Sequence, residues 1–241
     1  MTPYKINDAP LSIAIIAGGL ATRLHPLTEK IPKSLVQICG EPFIAHQLRL
    51  LKEQGIQDTV LCLGYKGELV QEFVGNGSRF GLRVSYAYDG PKLRGTAGAL
   101  HAALPYLGEH FFTLYGDSYL ACDYASVQRT YTESGKLGLM TVFRNEGSWD
   151  TSNVEFADGK IVAYDKQHRN TRMHYIDYGL GIFHRSVFEH IPKGETKDLA
   201  AVYQELLAEN QLAAFEVHER FYEVGSFDGL RDLENFLSRK K

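Results

Sequence analysis

The sequence predicts an α/β protein: a Rossmann-like, mostly parallel sheet with helices on both faces and a small antiparallel lobe. Three observations predict this class. Short apolar runs rich in β-branched residues alternate with helical patterns up to about residue 135. After Gly138 the pattern changes to strand-like runs that are separated mainly by turns. The 241 residues are 44% apolar, which is enough for one domain with a substantial core.

The first strand is predicted at residues 12–16, a β-branched run that Ala17, Gly18 and Gly19 follow directly. A helix is predicted over residues 42–54, because apolar side chains recur on one helical face and Gly55 can end it. The remaining elements of this first part are predicted strands at 59–63, 84–88 and 111–115 and predicted helices near 66–74, 96–103 and 124–133.

The second part is predicted to begin with antiparallel strands, and the sequence Ala157-Asp158-Gly159-Lys160 indicates a hairpin turn between two of them. Its predicted strands are 139–144, 153–157, 160–164, 175–184, 213–217 and 221–224, and its predicted helices are 197–209 and 227–237. Ligands of open α/β sheets bind at the carboxyl ends of the strands, so we expect the lobe to cover that edge. We expect one domain over residues 1–241, with a core at about 12–135 and a lobe with C-terminal helices at about 136–241.

Composition excludes several classes of protein. Lys and Arg number 26 against 29 Asp and Glu, a net charge of -3, which argues against a nucleic-acid polymer as partner. No window approaches the roughly 18 apolar residues of a membrane span, and residues 1–10 lack a leader-like apolar run, so we expect a cytoplasmic protein. The nine His never stand at H-x-x-x-H spacing, which argues against a zinc site made of His.

The loop after the first predicted strand is the most informative segment. Residues 17–35 read AGGLATRLHPLTEKIPKSL. Gly18 and Gly19 permit close backbone approach, so that N–H groups can bind phosphate oxygens, and Arg23 and Lys33 add positive charge at the same place. The segment favours a nucleoside triphosphate site that includes Ala17, although Gly18-Gly19 alone would also fit an ordinary strand-to-helix turn. Neither a Walker loop nor G-x-G-x-x-G is present.

A candidate metal ligand follows another predicted strand. Asp117 comes directly after residues 111–115 and Gly116, which places it at the carboxyl edge of the sheet beside the first loop. Mg²⁺ prefers one or two carboxylates together with substrate phosphates and water. Asp117 could instead be a turn or capping residue, and Asp123 is interpreted as the N-cap of the next helix.

Residues 17–35 resemble the opening motif of the sugar-1-phosphate nucleotidyltransferases, A-G-G-x-G-T-R-L-x-P-L-T-x-x-x-P-K-x-L, with Ala21 where that family usually has Gly. Within this group the chain is most similar to the D-glycero-D-manno-heptose 1-phosphate guanylyltransferases. Segments 54–56, 64–66, 77–82 and 95–96 carry this similarity, which extends over nearly the whole chain and is weakest between residues 144 and 174.

The resemblance implies a glycosyltransferase-A-like fold and a specific reaction. A nucleoside monophosphate would pass from a nucleoside triphosphate to a sugar 1-phosphate, with release of pyrophosphate and with Mg²⁺ as cofactor. Residues 12–135 would bind the nucleotide and residues 136–241 the acceptor, in a monomer or a homodimer. One alternative is the same type of enzyme with UTP, CTP or dTTP as donor and another sugar phosphate or phosphorylated small molecule as acceptor. The other is a nucleotide-sensing module without catalysis, which is suggested by Ala21 and Glu223 at positions where the family usually has Gly and Asp.

The resemblance also assigns roles to donor-side residues. Asp117 matches the family's G-D-[NTS] metal ligand, and Glu223 in FYEVGS resembles the Asp of D-x-G-[TS], a second Mg²⁺ ligand; the alternative for Glu223 is an exposed strand residue. Gly95 and Thr96 would belong to the base pocket. Asp89 can accept hydrogen bonds from both N1–H and the 2-amino group of guanine, which favours GTP, unless Asp89-Gly90-Pro91 is simply a turn.

Acceptor-side roles follow in the same way. Lys166 matches the lysine of the family's [VF]-x-E-K-P segment, which meets the phosphate of the sugar phosphate. Asp177 and Gly179 lie in a strand that resembles N-x-G-x-[YF], which approaches the sugar ring, and Asp177 replaces the Asn. A carboxylate accepts but cannot donate hydrogen bonds, so this change bears on which sugar is bound. The heptose resemblance favours heptose 1-phosphate. Asn153 and Trp149 are interpreted as structural.

Overall fold

The computed structural model describes residues 9–20, 22–90 and 92–239. Ala21, where the family motif has Gly, lies outside these residues, as do Pro91 and the first eight residues, on which part of the argument against a leader rests. Within the described ranges no helix combines the length and the apolar character needed to cross a membrane.

Strands and helices alternate through the first half of the chain and strands dominate the middle. The strands are β1 (Ser12–Ala17), β2 (Gln37–Ile38), β3 (Glu41–Pro42), β4 (Asp58–Leu63), β5 (Arg83–Tyr88), β6 (His110–Tyr115), β7 (Ser118–Tyr119), β8 (Gly138–Arg144), β9 (Val154–Ala157), β10 (Lys160–Tyr164), β11 (Tyr175–His184), β12 (Leu212–Val217) and β13 (Tyr222–Glu223). The helices are α1 (Phe43–Glu53), α2 (Gly67–Val74), α3 (Gly95–Ala103), α4 (Tyr124–Ser134), α5 (Ser186–Glu189), α6 (Leu199–Ala208) and α7 (Phe227–Ser238).

One large sheet organises the molecule. Strands β6, β1, β4 and β5 are parallel neighbours in that order, and β12 runs parallel to β8. Strand β11 lies between the two parallel groups and pairs antiparallel with β6, β8 and β9. The predicted α/β class with a mostly parallel sheet is therefore confirmed. The antiparallel strands, predicted as a lobe, continue the same sheet through β11. The division near residue 135 stays a prediction.

Helices cover both faces of this sheet, as predicted. Alternate residues of β1 point to opposite sides: Ile13 and Ile15 pack into a core beneath α1, α2 and α4, whereas Ala14 packs into a core beneath α3, α5 and α6. This alternation is what a strand buried on both faces requires. Leu100, Phe188 and Tyr203 are the large buried side chains of the second helical layer.

A third, smaller core anchors the loop that follows β1. Leu24 from this loop packs with Val224 and Leu233 of the C-terminal segment. The strand predicted at 221–224 is only two residues long, and it pairs with β7 in a separate ribbon rather than in the main sheet. In this ribbon Glu223 lies opposite Ser118, the residue after Asp117. The ribbon therefore brings the end of the chain to the carboxyl edge of the parallel strands.

Two further differences from the predicted elements lie at the two ends of the sheet, the first beside this edge and the second at the opposite end. The helix predicted from residue 197 begins at Leu199, because the carbonyl of Lys197 accepts the amide hydrogens of Ala97 and Gly98 at the start of α3. The short helix α5, which the sequence analysis did not predict, follows β11 and buries Phe188.

Candidate active site

A cavity of about 170 Å³ opens at the carboxyl ends of β1 and β6. The ends of these strands are in close contact: the amide of Gly116 donates to the carbonyl of Ile16 at 2.9 Å, and a Cβ on Gly116 would lie 2.7 Å from Cβ of Ala17. The cavity is lined by Ile16, Ala17, Gly19, Lys33, Ser34, Thr96, Tyr115, Gly116 and Asp117. Five of the residues singled out by the sequence therefore meet here.

Lys33 and Asp117 form the ion pair of this cavity. Lys33 Nζ is 2.9 Å from Asp117 Oδ2, although the two residues are 84 positions apart. Both side chains are partly buried, with 19% and 29% of their surfaces exposed. The hydroxyl of Ser118 also donates to Asp117 Oδ1, at 3.4 Å. Asp117 is therefore held by two contacts at the edge of the sheet, and it is not the cap of a helix.

Glu223 reaches the same place through the short ribbon. The amide of Val224 donates to the carbonyl of Asp117 at 2.9 Å, which fixes the neighbouring Glu223 beside it. Burial and the carboxylates of Asp117 and Asp150 raise the pKa of Glu223 to about 7, against the opposing effect of Lys33 and Arg23. Glu223 is half-buried, and its charge is coupled to that of Asp117.

These two carboxylates fit a hard divalent cation. Both offer oxygen atoms only: Glu223 lies in β13, and Asp117 immediately precedes β7, the partner strand of the same ribbon. The raised pKa of Glu223 shows that its charge is poorly balanced by the side chains around it. A cation such as Mg²⁺ prefers one or two carboxylates and would balance that charge. Asp117 and Glu223 are therefore the residues that could hold the metal.

Two basic side chains face this acidic pair. A Cβ placed on Gly225 would lie 3.3 Å from Arg23 Nη2 and 3.9 Å from Lys33 Nζ. Arg23 is exposed, whereas the adjacent Leu24 is fully buried and anchors the turn. Because Gly225 has no side chain, Arg23 Nη2 and Lys33 Nζ can lie this close to the backbone at position 225. They are available to bind phosphate oxygens at the mouth of the cavity.

Asp89 packs against the glycine loop. A Cβ on Gly18 would lie 2.8 Å from Asp89 Oδ2, so a side chain at position 18 would collide with this carboxylate. Asp89 is 6% exposed and its carbonyl accepts a hydrogen bond from Arg94 Nε at 2.7 Å. Burial raises the pKa of Asp89, although Arg94 opposes the shift. Asp89 is therefore buried just after the end of β5; the alternative of a turn at Asp89-Gly90-Pro91 includes Pro91, which lies outside the described residues.

Gly95 and Thr96 connect α3 to the start of α6. Gly95 has φ +71°, and a Cβ there would lie 2.6 Å from the carbonyl oxygen of Lys197. The hydroxyl of Thr96 accepts the amide hydrogen of Leu199 at 2.6 Å. Both residues thus have a structural task, and Thr96 in addition lines the cavity.

The residues assigned to the acceptor lie beside Tyr115. Lys166 Nζ is 3.6 Å from Asp177 Oδ2 and 5.2 Å from the centre of the Tyr115 ring. The carboxylate of Asp177 is almost fully buried, and it accepts hydrogen bonds from the amide of Gly179 at 3.1 Å and the hydroxyl of Tyr164 at 3.3 Å. The Lys166 side chain is 44% exposed, and its ammonium lies beside this fixed carboxylate.

The backbone at Gly179 allows β11 to approach Tyr115. Gly179 has φ +98°, and a Cβ there would lie 3.2 Å from Tyr115 Cδ2. Asn153 Oδ1 accepts the amide hydrogen of Asp177 at 3.0 Å, which agrees with its interpretation as a structural residue. Trp149 is 51% exposed, and the guanidinium of Arg220 stacks on its ring at 3.4 Å.

Sequence reasoning missed two residues of this region. Tyr115 lines the cavity and also contacts the acceptor-side lysine, so it joins the two halves of the site. Its position at the end of a buried strand, just before Gly116-Asp117, was the signal that could have found it. Asp150 raises the pKa of Glu223 from a loop in the part of the sequence where the family resemblance is weakest.

Comparison with known proteins shows the family to which the chain is matched. The family model described as nucleotidyl transferase matches residues 13–240. The chain is 29% identical over 217 residues to the mannose-1-phosphate guanylyltransferase catalytic subunit beta of Xenopus tropicalis, covering 88% of this chain and 60% of that protein. It is 26% identical over 245 residues to the UTP–glucose-1-phosphate uridylyltransferase of Synechocystis sp., covering 94% and 63%. The chain thus spans less than two thirds of the length of these relatives.

Solved structures share the fold. HddC from Yersinia pseudotuberculosis superposes with a TM-score of 0.79 at 22% identity, covering 94% of this chain and 99% of that chain. A putative glucose-1-phosphate thymidylyltransferase from Bacillus anthracis superposes with a TM-score of 0.83 at 21% identity, covering 95% and 96%.

Proposed function

This chain belongs to the nucleotidyl transferase family, and from that membership we propose that it transfers a nucleoside monophosphate from a nucleoside triphosphate to a sugar 1-phosphate and releases pyrophosphate. The observation that supports this most strongly is the meeting of two carboxylates and two basic side chains at one strand edge. Asp117 and Glu223 would hold Mg²⁺, and Lys33 and Arg23 would bind the triphosphate.

The reaction needs positioning and charge neutralisation more than proton transfer. A phosphate oxygen of the acceptor attacks the α-phosphorus in line, and the bond to the departing pyrophosphate breaks. The attacking oxygen is already ionised near neutral pH, so no catalytic triad is required. When bound, Mg²⁺ supplies Lewis-acid stabilisation of the phosphate charge. Arg23 and Lys33 add hydrogen bonds to the same oxygens, and Lys166 orients the acceptor phosphate.

GTP is the donor that we favour. Asp89 is buried beside Gly18 of the loop after β1, and its carboxylate would pair with the two adjacent donors of guanine. Relatives named as mannose-1-phosphate guanylyltransferases from several organisms support the same base. A uridylyltransferase is also among the relatives, so UTP is the first competitor to test.

For the acceptor we favour heptose 1-phosphate. The motif resemblance to the heptose guanylyltransferases supports it, together with the buried Asp177 carboxylate beside Lys166. The Asp177 carboxylate can only accept hydrogen bonds, whereas the Asn usual in the family could also donate.

The test is a matrix of four nucleoside triphosphates against several sugar 1-phosphates, read by pyrophosphate release in the presence of Mg²⁺. We expect turnover to be highest with GTP and heptose 1-phosphate. A preference of tenfold or more for another base, about 1.4 kcal/mol, would overturn the assignment of Asp89. Tight nucleotide binding without turnover across the whole matrix would favour the nucleotide-sensing module instead.

A further inference from the structure

Glu109, His110 and His184 meet at the end of the sheet opposite to the candidate active site. One ligand atom from each, a carboxylate oxygen or a ring nitrogen, lies within 4.8 Å of the other two. His110 is the first residue of β6 and Tyr115, which lines the cavity, is the last. The length of this strand, roughly 17 Å, separates the two places. We propose that this cluster binds a Zn²⁺ ion, at a site independent of Asp117 and Glu223.

The backbone holds the three residues in register. His110 and His184 are direct partners in the antiparallel pair of β6 and β11. The amide of Arg185 donates to the carbonyl of Glu109 at 2.8 Å, and the amide of His184 donates to the carbonyl of Leu137 at 2.9 Å. The ligands therefore come from fixed positions on a sheet, which lowers the entropy cost of binding an ion.

The spacing of the ligand atoms approaches that of a zinc site. With Zn–N and Zn–O distances of about 2.0–2.2 Å, tetrahedral ligand atoms lie roughly 3.3–3.5 Å apart. Glu109 Oε1 is 3.3 Å from His184 Nε2, which already matches. The rings of His110 and His184 meet edge to face with their centres 4.9 Å apart, and the His110 nitrogen, within 4.8 Å of the other two ligand atoms, would have to move closer to complete the set.

Each imidazole has a hydroxyl partner on its other nitrogen. His110 Nδ1 is 2.9 Å from the hydroxyl of Tyr131, and His184 Nδ1 is 2.6 Å from that of Ser186. Metal-binding histidines have such a partner, which fixes the ring and its tautomer. With the ion on Nε2 of His110, the proton of that neutral ring resides on Nδ1 and is donated to the Tyr131 hydroxyl oxygen. His184 Nδ1 also accepts the amide hydrogen of Ser186 at 3.3 Å, so binding of the ion at His184 Nε2 would require this contact to break. Tyr131 therefore acts as a positioning residue.

Exposure differs among the three ligands in a way that suits entry of an ion. The His184 side chain is 11% exposed, whereas that of Glu109 is 60% exposed. The carboxylate can meet the ion in solvent and carry it to the rings, and water can take the fourth position. Imidazole and carboxylate together suit Zn²⁺ better than Mg²⁺, which takes oxygen ligands.

The experiment measures Zn²⁺ affinity of the chelator-stripped protein by competition with a chromophoric chelator, with millimolar Mg²⁺ present. We expect the wild-type protein to bind one equivalent of Zn²⁺, and we expect Asp117→Asn to bind one equivalent as well. Tyr131→Phe should weaken binding by roughly 10- to 100-fold, because it removes only a positioning contact. Glu109→Gln and His184→Gln should weaken it more, because each removes a ligand.

Two controls keep the outcome clear. Glu109 is exposed, so Glu109→Gln tests the site even if His184→Gln does not fold. His174→Gln is the matched control. His174 is an exposed imidazole whose Nδ1 lies 3.2 Å from a Glu146 oxygen, but this pair is not part of a three-ligand cluster. The variant should leave the Zn²⁺ affinity unchanged. Unchanged affinity in Glu109→Gln, loss of the equivalent in Asp117→Asn, or affinity no tighter than millimolar would each overturn the proposal. Pyrophosphate release tests the proposed function separately.

Discussion

Single residues around Asp117 show how charge sets the behaviour of the candidate site. One oxygen of Asp117 is engaged by Lys33 at 2.9 Å, while its charge also raises the pKa of Glu223. Neutralising the two carboxylates with a cation would release Lys33 for a phosphate. The same acid–base cluster would therefore serve both the metal binding and the nucleotide binding that we propose.

Removing either basic side chain should affect the nucleotide. Lys33→Ala and Arg23→Ala should each lower kcat/KM for the nucleoside triphosphate by roughly 10- to 150-fold, the equivalent of one charge-assisted hydrogen bond of about 1.5–3 kcal/mol. Arg23 is exposed and Lys33 lines a cavity, so circular dichroism should show an unchanged fold. Normal kinetics in both variants would contradict the assignment of this loop to phosphate binding.

Lys166→Ala should act on the acceptor instead. The Lys166 ammonium lies beside Asp177, away from Lys33, so its loss should raise KM for the sugar phosphate and leave that for the nucleotide unchanged. Lys160→Ala, at an exposed lysine that begins β10, the strand that precedes Lys166, is the control and should have no effect. A defect confined to nucleotide affinity would show that Lys166 has been misplaced.

The metal ligands can be separated by three variants. Asp117→Asn should reduce activity by more than the roughly 10- to 100-fold typical of residues that only support a ligand. Glu223→Gln should do the same, whereas Glu223→Asp should keep partial activity because Asp is usual in the family at this position. The measurement is activity against Mg²⁺ concentration. Wild-type behaviour of Glu223→Gln beside an inactive Asp117→Asn would leave one carboxylate at the metal.

Sequence reasoning at this scale predicted which residues lie together where each of them belongs to a motif. Lys33 and Asp117 were assigned from their motifs, and the structure brings them into contact. Tyr115 and Asp150 were missed because nothing local distinguishes an aromatic residue or an acid that becomes important only through a distant partner. His110 and His184 are 74 positions apart, and their juxtaposition depends on the pairing of β6 with β11.

At the scale of elements, long periodic segments were predictable and short ones were not. Helix α1 was predicted at 42–54 and runs Phe43–Glu53. The ribbon of β7 and β13 has two residues in each strand, too few for any alternation to be visible. Yet this ribbon decides where Glu223 lies, so the sequence could suggest the ligand but not the contact that positions it.

The start of α3 offers a stability test at this scale. Gly95→Ala should destabilise the protein by about 2 kcal/mol or more, because φ is +71° and the new Cβ would meet the carbonyl of Lys197 at 2.6 Å. Gly135→Ala is the control: φ is +62° but nothing lies within 4 Å, so only the backbone cost of about 1 kcal/mol remains. Chemical denaturation of both variants measures the difference. Equal losses would show that the contact with Lys197 relaxes freely.

For the whole molecule, the raised pKa of Glu223 links stability to pH. The folded protein keeps this proton up to about pH 7, whereas the ordinary value is 4.5. The contribution of Glu223 to the free energy of unfolding is therefore fully present at a pH below its ordinary pKa. This contribution is lost as the pH rises through the pKa that Glu223 has in the folded protein. The shift corresponds to at most about 3 kcal/mol.

Thermal unfolding of the metal-free protein should show this loss. Between pH 5 and 8 the Tm of wild type should fall more steeply than that of Glu223→Gln, in which no proton can leave. Mg²⁺ added at the higher pH should raise the Tm of the wild-type protein again and should change the Tm of Glu223→Gln less. Identical slopes for the two proteins would mean that Glu223 titrates normally in the folded state.

The central place of β11 also has a consequence for synthesis of the chain. Leu114 of β6 pairs with Leu180 of β11, which is made 66 residues later. At ribosomal rates of about 5–20 residues per second, the β6 edge of the nascent parallel strands stays open for roughly 3–13 seconds. An unpaired edge of this kind is a template for association with other chains. A nascent chain stalled before β11 should therefore be the form most dependent on chaperones.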